Sequence, residues 1–241
     1  MIDLILFIIF NIISVAQQRK GIMISSLIKK KLEIGNHWCA EMEKALSAFW
    51  FHGVEAIISA SVREVVVHIL EEKVPQRFFV DPSSFTKKSH PSWQNEISGL
   101  LRHVTEMCIG VWRITQAFPQ LNRLNPQAPI ADILLPSIIL HDAFKNGLPW
   151  GDKTDPRHHE IAARVWLDCA HTARIDCFIS NQVYQCIWWH AGRFTSDFDE
   201  TLLKNNDYIA VMHLCDMVYS DNNLNLLYSP RDIILQPARK T

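Results

Sequence analysis

The sequence lacks the features that usually identify a nucleic-acid-binding, disulfide-linked or repeat protein. Its formal net charge is −1, whereas a dedicated nucleic-acid-binding protein usually has a strong basic excess. No two of its six cysteines form a C-x-x-C pair, and a chain of 241 residues does not need disulfides to fold. We therefore expect reduced thiols in a cytoplasmic protein. There is no internal repeat, no low-complexity tract and no series of alternating strands.

The composition of the chain is typical of one globular domain built from helices. Hydrophobic residues make up 48% and charged residues 20% of the sequence, so wholesale disorder is not expected. Apolar residues recur at helical spacing, as in Val62, Val65, Val66 and Ile69. The same pattern predicts helices within residues 24–74, from 97 to 111, and over 133–144, 158–171, 176–190 and 206–220. The sequence therefore predicts an all-α fold.

Residues 2–16 are almost continuously apolar, but this run is shorter than the roughly 18–20 residues of a membrane-spanning helix. It also lacks the basic region of a secretory signal, although Ser14-Val15-Ala16 resembles a cleavage site. Either Met23 is the true start of the protein, or the segment targets or anchors it. We expect no stable membrane span; membrane association or export through residues 2–16 is the alternative to a cytoplasmic location.

The most informative local feature is an adjacent histidine and aspartate, His141 and Asp142, at the end of an apolar run. The pair offers an imidazole nitrogen and a carboxylate oxygen from neighbouring backbone positions, a combination that suits a divalent metal of borderline hardness. Lys145 follows one helical turn later.

Further potential ligands stand on both sides of this pair, each on or at the end of a predicted helix. In chain order they are His103, then His158 or His159, then His190, then Asp216. An unpaired carboxylate buried among apolar residues is costly, and a metal ion is one of the few partners that can offset several such groups at once. The ordered set therefore indicates a metal-dependent hydrolase.

Four segments resemble motifs of the HD-domain metal-dependent phosphohydrolases, whose ligand order is H…HD…D. Residues 98–103 (SGLLRH) resemble "GGLLEH", residues 141–145 (HDAFK) resemble "HDIGK", and residues 158–163 (HHEIAA) resemble "HPEIGA". Residues 79–90 resemble the "PAS…HH" segment of HD-type 3′→5′ exoribonucleases and their relatives. The resemblance covers roughly residues 78–220.

The chain also departs from these motifs. Arg102 replaces the acidic residue that commonly precedes the first histidine, Phe144 replaces the glycine of "HDIGK", and Ala162 replaces the glycine of "HPEIGA". No "GYP" follows His190, where the chain reads AGR. This last difference counts against the cyclic-di-GMP phosphodiesterase branch.

The resemblance implies a helical HD bundle at residues 78–220, preceded by an apolar segment (1–22) and a helical extension (23–77) and followed by a tail (221–241). It implies that one metal ion is held by His103, His141, Asp142 and Asp216. Asp142 would bridge to a second ion completed by His158 and His190, with His159 as the alternative to His158. Mn²⁺, Fe²⁺, Co²⁺, Mg²⁺ and Zn²⁺ all suit such ligands. Two such ions lower the pKa of a shared water, and the resulting hydroxide attacks phosphorus.

Two cationic side chains are candidates for binding a substrate phosphate. Lys145 lies on the same predicted helix face as the His-Asp pair, and its alternative role is to neutralise the end of that helix. Arg193 follows His190, and its alternative is a solvent-exposed arginine. We interpret His213 as structural or as a partner of the ligands. His37, His52, His68 and His171 match no motif, and the tryptophans, among them Trp112, Trp166, Trp188 and Trp189, are expected in the core.

The leading functional prediction is hydrolysis of a phosphate ester or anhydride in a small, nucleotide-like substrate. The alternative is a 3′→5′ exonuclease or phosphodiesterase acting on RNA or DNA, which is less favoured because the N-terminal third lacks the strands of an OB-fold. A non-catalytic metal-binding regulatory domain and an iron-dependent oxygenase are the other hypotheses. A family resemblance alone does not determine the substrate.

Overall fold

A computed structural model describes residues 25–34, 39–84, 90–125, 128–192 and 198–221 of the chain. These residues form α-helices and no strand, which confirms the predicted all-α fold. The helices are α1 (Ser26–Ile34), α2 (Ala40–Phe49), α3 (Ala60–Glu72), α4 (Arg77–Val80), α5 (Gly99–Ala117), α6 (Ala131–Leu140), α7 (His158–Thr172), α8 (Cys177–Trp189), α9 (Thr201–Asn205) and α10 (Asp207–Ser220). A π-helical turn (Trp50–Val54) extends α2, and 3₁₀ turns (Ser92–Asn95 and Pro119–Arg123) flank α5.

Helix α6 is the central helix of the fold, because it is apolar on almost every side. Each of its residues from Asp132 to Leu140 is buried. A helix of this kind must be covered on all its faces, and α6 packs against α3, α5, α8 and α10. Its C-terminal end therefore places His141 and Asp142 inside the protein.

The end of α6 differs from the predicted helix over residues 133–144. The α-helix stops at Leu140, and turns follow through Trp150. Within these turns the backbone hydrogen bonds span three residues, as from the N–H of Ala143 to the carbonyl of Leu140 and from the N–H of Lys145 to that of Asp142. The apolar pattern continues past Leu140, but the tighter hydrogen bonds end the α-helix there.

The start of α5 depends on a close approach between two backbone segments. Ser98 has a left-handed backbone conformation, with φ 59°. A Cβ atom on Gly99 would lie 1.8 Å from the carbonyl oxygen of Gln94, far inside contact distance. Only glycine fits at this position. The tight entry sets the path of α5, in which His103 follows one turn later and is fully buried.

The N-terminal helices pack on the helices that follow. Helix α1 packs against α3, α2 against α5, and α3 against α6 and α7. The carboxylate of Asp132 accepts hydrogen bonds from the backbone N–H groups of Ile58 and Ser59, at 2.8 and 2.9 Å, and so joins the start of α3 to α6. One cluster of buried apolar side chains runs from Ile28 to Tyr219. Both sides of the predicted boundary at residue 78 therefore share a core, and the boundary itself stays a prediction.

Several predicted features lie outside the described residues: the apolar segment 1–22, Arg193, and the tail from residue 222 onwards. Among the helices that are described, none combines the length and the apolar character needed to cross a membrane.

Candidate metal centre

Six side chains from five separate stretches of the chain meet in the interior of the bundle. They are the predicted metal ligands: His103 on α5, His141 and Asp142 after α6, His158 at the start of α7, His190 after α8, and Asp216 on α10. The sequence pattern therefore corresponds to a single location in the fold.

The first part of this centre is formed by His103, His141 and Asp216. Oδ1 of Asp216 lies 3.2 Å from Nε2 of His103 and 3.9 Å from Nε2 of His141. One ligand atom from each residue lies within 4.8 Å of the other two. Both imidazoles are fully buried, whereas the side chain of Asp216 is 22% exposed. The group is thus compact enough for one ion and open on the side of the carboxylate.

The second part shares His141 and adds Asp142 and His190, again with one atom of each within 4.8 Å of the others. Oδ2 of Asp142 lies 3.7 Å from Nε2 of His141, and Oδ1 lies 4.0 Å from Nε2 of His190. Nε2 of His158 is closer to Oδ1, at 3.2 Å, although His158 does not belong to this compact group of three. The carboxylate of Asp142 therefore lies close to both His158 and His190, which follow it in the chain.

Three of these histidines share a local arrangement that fixes the orientation of the ring and places a proton on Nδ1. In each ring Nδ1 donates to the backbone carbonyl three residues earlier, at 2.7 Å for His141, 2.7 Å for His158 and 2.8 Å for His190. A carbonyl oxygen can only accept, so Nδ1 holds the proton and Nε2 of the neutral ring keeps its lone pair. Such backbone contacts orient metal-binding histidines in proteins.

Some buried nitrogens of the centre have no hydrogen-bond partner. They are Nε2 of His141 and both ring nitrogens of His103. Asp216 is near His103, but the orientation of the two groups is not that of a hydrogen bond. A buried polar atom without a partner costs about 1–3 kcal/mol. A metal ion between Asp216 and the Nε2 atoms of His103 and His141 would satisfy both of these nitrogens, so the donor set fits a divalent cation.

Lys145 contacts the centre directly, through a salt bridge of 2.6 Å from its Nζ to Oδ2 of Asp142. Burial alone would raise the pKa of Asp142. The positive charge of Lys145, together with His141 and His158, outweighs burial and holds the pKa of the carboxyl well below its usual range. Asp142 is therefore ionised at neutral pH, as a metal ligand must be.

Three of the other candidate ligands are also in the protonation state that metal binding requires. Burial lowers the pKa of His190 to about 3 and lowers that of His141. Burial raises the pKa of Asp216, but the neighbouring His103, His141 and His190 more than reverse this and keep the pKa below its usual range. At neutral pH the imidazoles of His141 and His190 are thus neutral and the carboxylates of Asp142 and Asp216 are ionised.

One further histidine lies at the centre, and no role was predicted for it. The ring of His90 is 5.0 Å from the ring of His103, centroid to centroid, in an edge-to-face arrangement. Burial lowers the pKa of His90 to about 4. The sequence contains one indication of a role for His90, because it is the last residue of the segment 79–90, which resembles "PAS…HH".

A buried network fixes the position of His90. Both N–H bonds of the Gln94 amide are used, at 2.7 Å to Oε2 of Glu106 and at 3.0 Å to the carbonyl oxygen of Tyr219. Its oxygen therefore accepts from Nδ1 of His90, at 2.8 Å. Trp93 donates to the second oxygen of Glu106, at 2.8 Å. The network joins α5, the end of α10 and the segment that contains His90.

Two other histidines lie near the ligands without joining either compact group. His159 is buried between His158 and Trp188, with ring centroids 5.6 and 5.9 Å away, and lies 6.5 Å from His190. His158 is thus the residue next to Asp142. His213 donates from Nδ1 to the backbone carbonyl of His190, at 2.8 Å, and so helps to fix the backbone of that candidate ligand.

The tryptophans do not all lie in the core. Trp166 is fully buried, as predicted, and its Nε1 donates to the carbonyl of Ser180 at 3.0 Å. The prediction is wrong for Trp112, which is 46% exposed. Trp188 and Trp189 are half-buried at the end of α8, beside the centre. Helical position alone did not separate core tryptophans from those at the surface, because α5 and α8 each expose one side.

No protein-family model, curated protein or solved structure matches this chain, so an assignment of function depends on the sequence pattern and on the geometry of the centre.

Proposed function

We propose that the protein is a metal-dependent phosphohydrolase of the HD type, which cleaves a phosphate ester or anhydride of a nucleotide-like substrate. The observation that carries this proposal is the convergence of His103, His141 and Asp216 on one point, with buried imidazole nitrogens that have no partner. A site with three protein ligands leaves coordination positions for water or substrate, as catalytic metal sites do.

The two oxygens of Asp142 support a centre for two ions, because Oδ2 faces His141 whereas Oδ1 faces His158 and His190. Divalent ions in such a centre supply Lewis-acid chemistry and a water of lowered pKa. Imidazole and carboxylate together are ligands that Mn²⁺, Fe²⁺, Co²⁺ and Zn²⁺ accept, and Mg²⁺ binds through the carboxylates. The order of the candidate ligands along the chain supports the HD type in particular. It follows the H…HD…D pattern, with His158 and His190 as the further ligands between the pair and the last aspartate.

Lys145 supports an anionic substrate. Its ammonium is at the centre itself, against Asp142, and its side chain is only 15% exposed. When Asp142 binds a cation, Lys145 loses this partner because like charges repel, and its three N–H groups become available to a phosphate oxygen. The residue would then orient the substrate and neutralise charge that develops on the phosphoryl group.

We also propose that the protein works in the reducing environment of the cytoplasm. Its six cysteines are free thiols. Burial raises the pKa of Cys186 and of Cys215 to about 12, so both thiols stay protonated and unreactive. They act as small apolar side chains in the core.

The proposal can be tested by removing bound metal, adding back Mn²⁺, Fe²⁺, Co²⁺, Mg²⁺ or Zn²⁺ one at a time, and measuring metal content, melting temperature and turnover. The substrates would be nucleoside mono-, di- and triphosphates, dinucleotides and short oligonucleotides. We expect at least one metal to raise the melting temperature and to support hydrolysis of a nucleotide. A ligand present at 100 times its Kd stabilises a protein by about 2.7 kcal/mol, which is a shift of roughly 5–10 °C in a chain of this size.

The matched variants are Asp216→Asn, which changes a ligand, and His171→Gln, which changes an exposed histidine of α7. Asp216→Asn should lose the thermal shift and reduce turnover by more than about 100-fold, since even partners of metal ligands commonly cost 10–100-fold. His171→Gln should behave as the wild type. Protein with two bound ions and no turnover of any phosphate compound would contradict the proposal and favour a regulatory or an oxygenase function.

A further inference from the structure

A pocket of about 260 Å³ lies beside the metal centre, lined by Phe198, Glu200, Leu203, Lys204 and His213. Pockets for drug-sized ligands have volumes of roughly 300–1,000 Å³. The pocket is therefore suited to one ring system rather than to a whole oligonucleotide. None of the six candidate metal ligands lines it.

His213 connects the pocket to the centre. Its Nδ1 donates to the backbone carbonyl of His190, at 2.8 Å, and it precedes Asp216 by one helical turn on α10. Gly192 makes this arrangement possible, because a Cβ atom on that residue would lie 2.4 Å from Cε1 of His213. The pocket thus adjoins the two candidate ligands on this side of the centre, His190 and Asp216.

The wall of the pocket is aromatic. The ring of Phe198 lies 6.3 Å from the ring of His213, with 34° between their planes, and 6.2 Å from the ring of Trp189. Trp189 supports Phe198 from the side of α8. Aromatic faces held in this way stack on flat ring systems, and nucleobases stack on them regardless of which base is present.

Polar side chains that line the pocket can form hydrogen bonds with the edge of a flat ring. Glu200 offers a carboxylate that accepts from N–H groups, and Lys204, one turn later, offers an ammonium that donates. Nδ1 of His213 donates to a carbonyl, so Nε2 is the ring nitrogen left to contact a ligand. A flat ring whose edge has both N–H donors and carbonyl or ring-nitrogen acceptors complements this set, and nucleobases have that combination.

We infer that this pocket binds the nucleobase of the substrate while the phosphate lies at the metal centre. The inference rests on the proposed phosphohydrolase function and adds a location and a chemical identity for the non-reacting part of the substrate. Phe198 provides stacking, and Glu200 and Lys204 determine which bases are preferred.

The test compares ligands that differ only in the base. Binding of the four common nucleoside 5′-monophosphates and of ribose 5-phosphate would be measured by calorimetry, with hydrolysis measured in parallel. We expect Phe198→Ala to weaken nucleotide binding by roughly 10- to 100-fold, since stacking contributes about 1–3 kcal/mol per base, and to leave ribose 5-phosphate binding unchanged. Glu200→Gln, at an exposed position, should change the order of preference among the bases.

Matched controls are Phe118→Ala, an exposed phenylalanine outside the pocket, and Glu64→Gln, an exposed glutamate on α3. The inference is overturned if Phe198→Ala and Glu200→Gln change nucleotide affinity by less than about two-fold, or if Phe198→Ala weakens ribose 5-phosphate equally while Glu200→Gln has no effect. If nucleotides bind in a way that depends on Phe198 but none is hydrolysed, the pocket assignment stands and the phosphohydrolase proposal fails.

Discussion

Oδ2 of Asp142 and Nζ of Lys145, three residues later, are 2.6 Å apart. The pair forms in a turn, after α6 has ended, so a predicted helix face does not account for it. The same carboxylate faces His158 through its other oxygen, at 3.2 Å. Asp142 is thus held between the Lys145 ammonium and the His158 imidazole, and a metal ion at this carboxylate would compete with Lys145.

Replacement of this lysine should separate metal binding from catalysis. We expect Lys145→Ala to bind metal at least as tightly as the wild type, because the competing ammonium is gone, while kcat/KM falls by roughly 10- to 100-fold, the effect of one hydrogen bond to a charged group. A contact that strengthens in the transition state lowers kcat, and a uniform contact raises KM. Asp142→Ala should lose both metal and activity. Normal kinetics in Lys145→Ala would show that the lysine only balances the charge of Asp142.

The two ligand groups make a prediction about the number of bound ions. We expect two ions per chain in the wild type, one in His190→Gln and one in His141→Gln, because Nε2 of His141 has a single lone pair and can bind only one of the ions. Elemental analysis after dialysis gives these numbers directly. His68→Gln, a histidine of α3 that belongs to neither group, should keep two ions. Two bound ions in His141→Gln would contradict the assignment of His141 as a metal ligand.

The Gln94 network should contribute to stability independently of metal. We expect Gln94→Leu to lower the free energy of unfolding by about 2–5 kcal/mol, because Nδ1 of His90, Oε2 of Glu106 and the Tyr219 carbonyl each lose the hydrogen bond that Gln94 makes to them. Urea denaturation of metal-free protein measures the change. Gln116→Leu, at an exposed position on α5, should have little effect. An equally small effect of Gln94→Leu would show that water replaces the amide.

The stability of the metal-free protein should fall as the solution becomes acidic. Burial lowers the pKa of His190 to about 3 and that of His90 to about 4, whereas both rings have an ordinary pKa near 6.5 in the unfolded chain. Between these values the unfolded chain binds protons that the folded protein does not. Stability is therefore lost as pH falls from about 6.5, by roughly 1–2 kcal/mol per ring by pH 5. Urea midpoints that are equal at pH 7.5 and pH 5 would contradict this expectation.

The helices could be predicted from apolar spacing, and the six candidate ligands from their order along the chain and their resemblance to the HD motifs. Apolar spacing identifies α7, α8 and α10 to within about two residues, because each buries one side against the core. The His-Asp pair could be located at the end of α6 for the same reason. Its burial follows from the apolar character of the whole helix.

Other features depend on contacts between distant parts of the chain, which periodicity does not reveal. His90 lies beside His103 only because Gln94 connects three segments separated by up to 125 residues. The end of α6 at Leu140, by contrast, depends on local three-residue hydrogen bonds, which apolar spacing does not reveal either. The pocket next to His213 requires Phe198, Trp189 and α10 to meet, and no single stretch of sequence contains that information.

The absence of space at Gly99 has a consequence for any saturation-mutagenesis survey of this protein. Every other residue would force the Gln94 carbonyl away from the start of α5 and would shift His103 with it. Selection for activity would then score Gly99 as intolerant as the candidate ligands themselves. Without the structure, such a survey would suggest that Gly99 is a catalytic residue. Its role is instead to let two backbone segments approach each other closely.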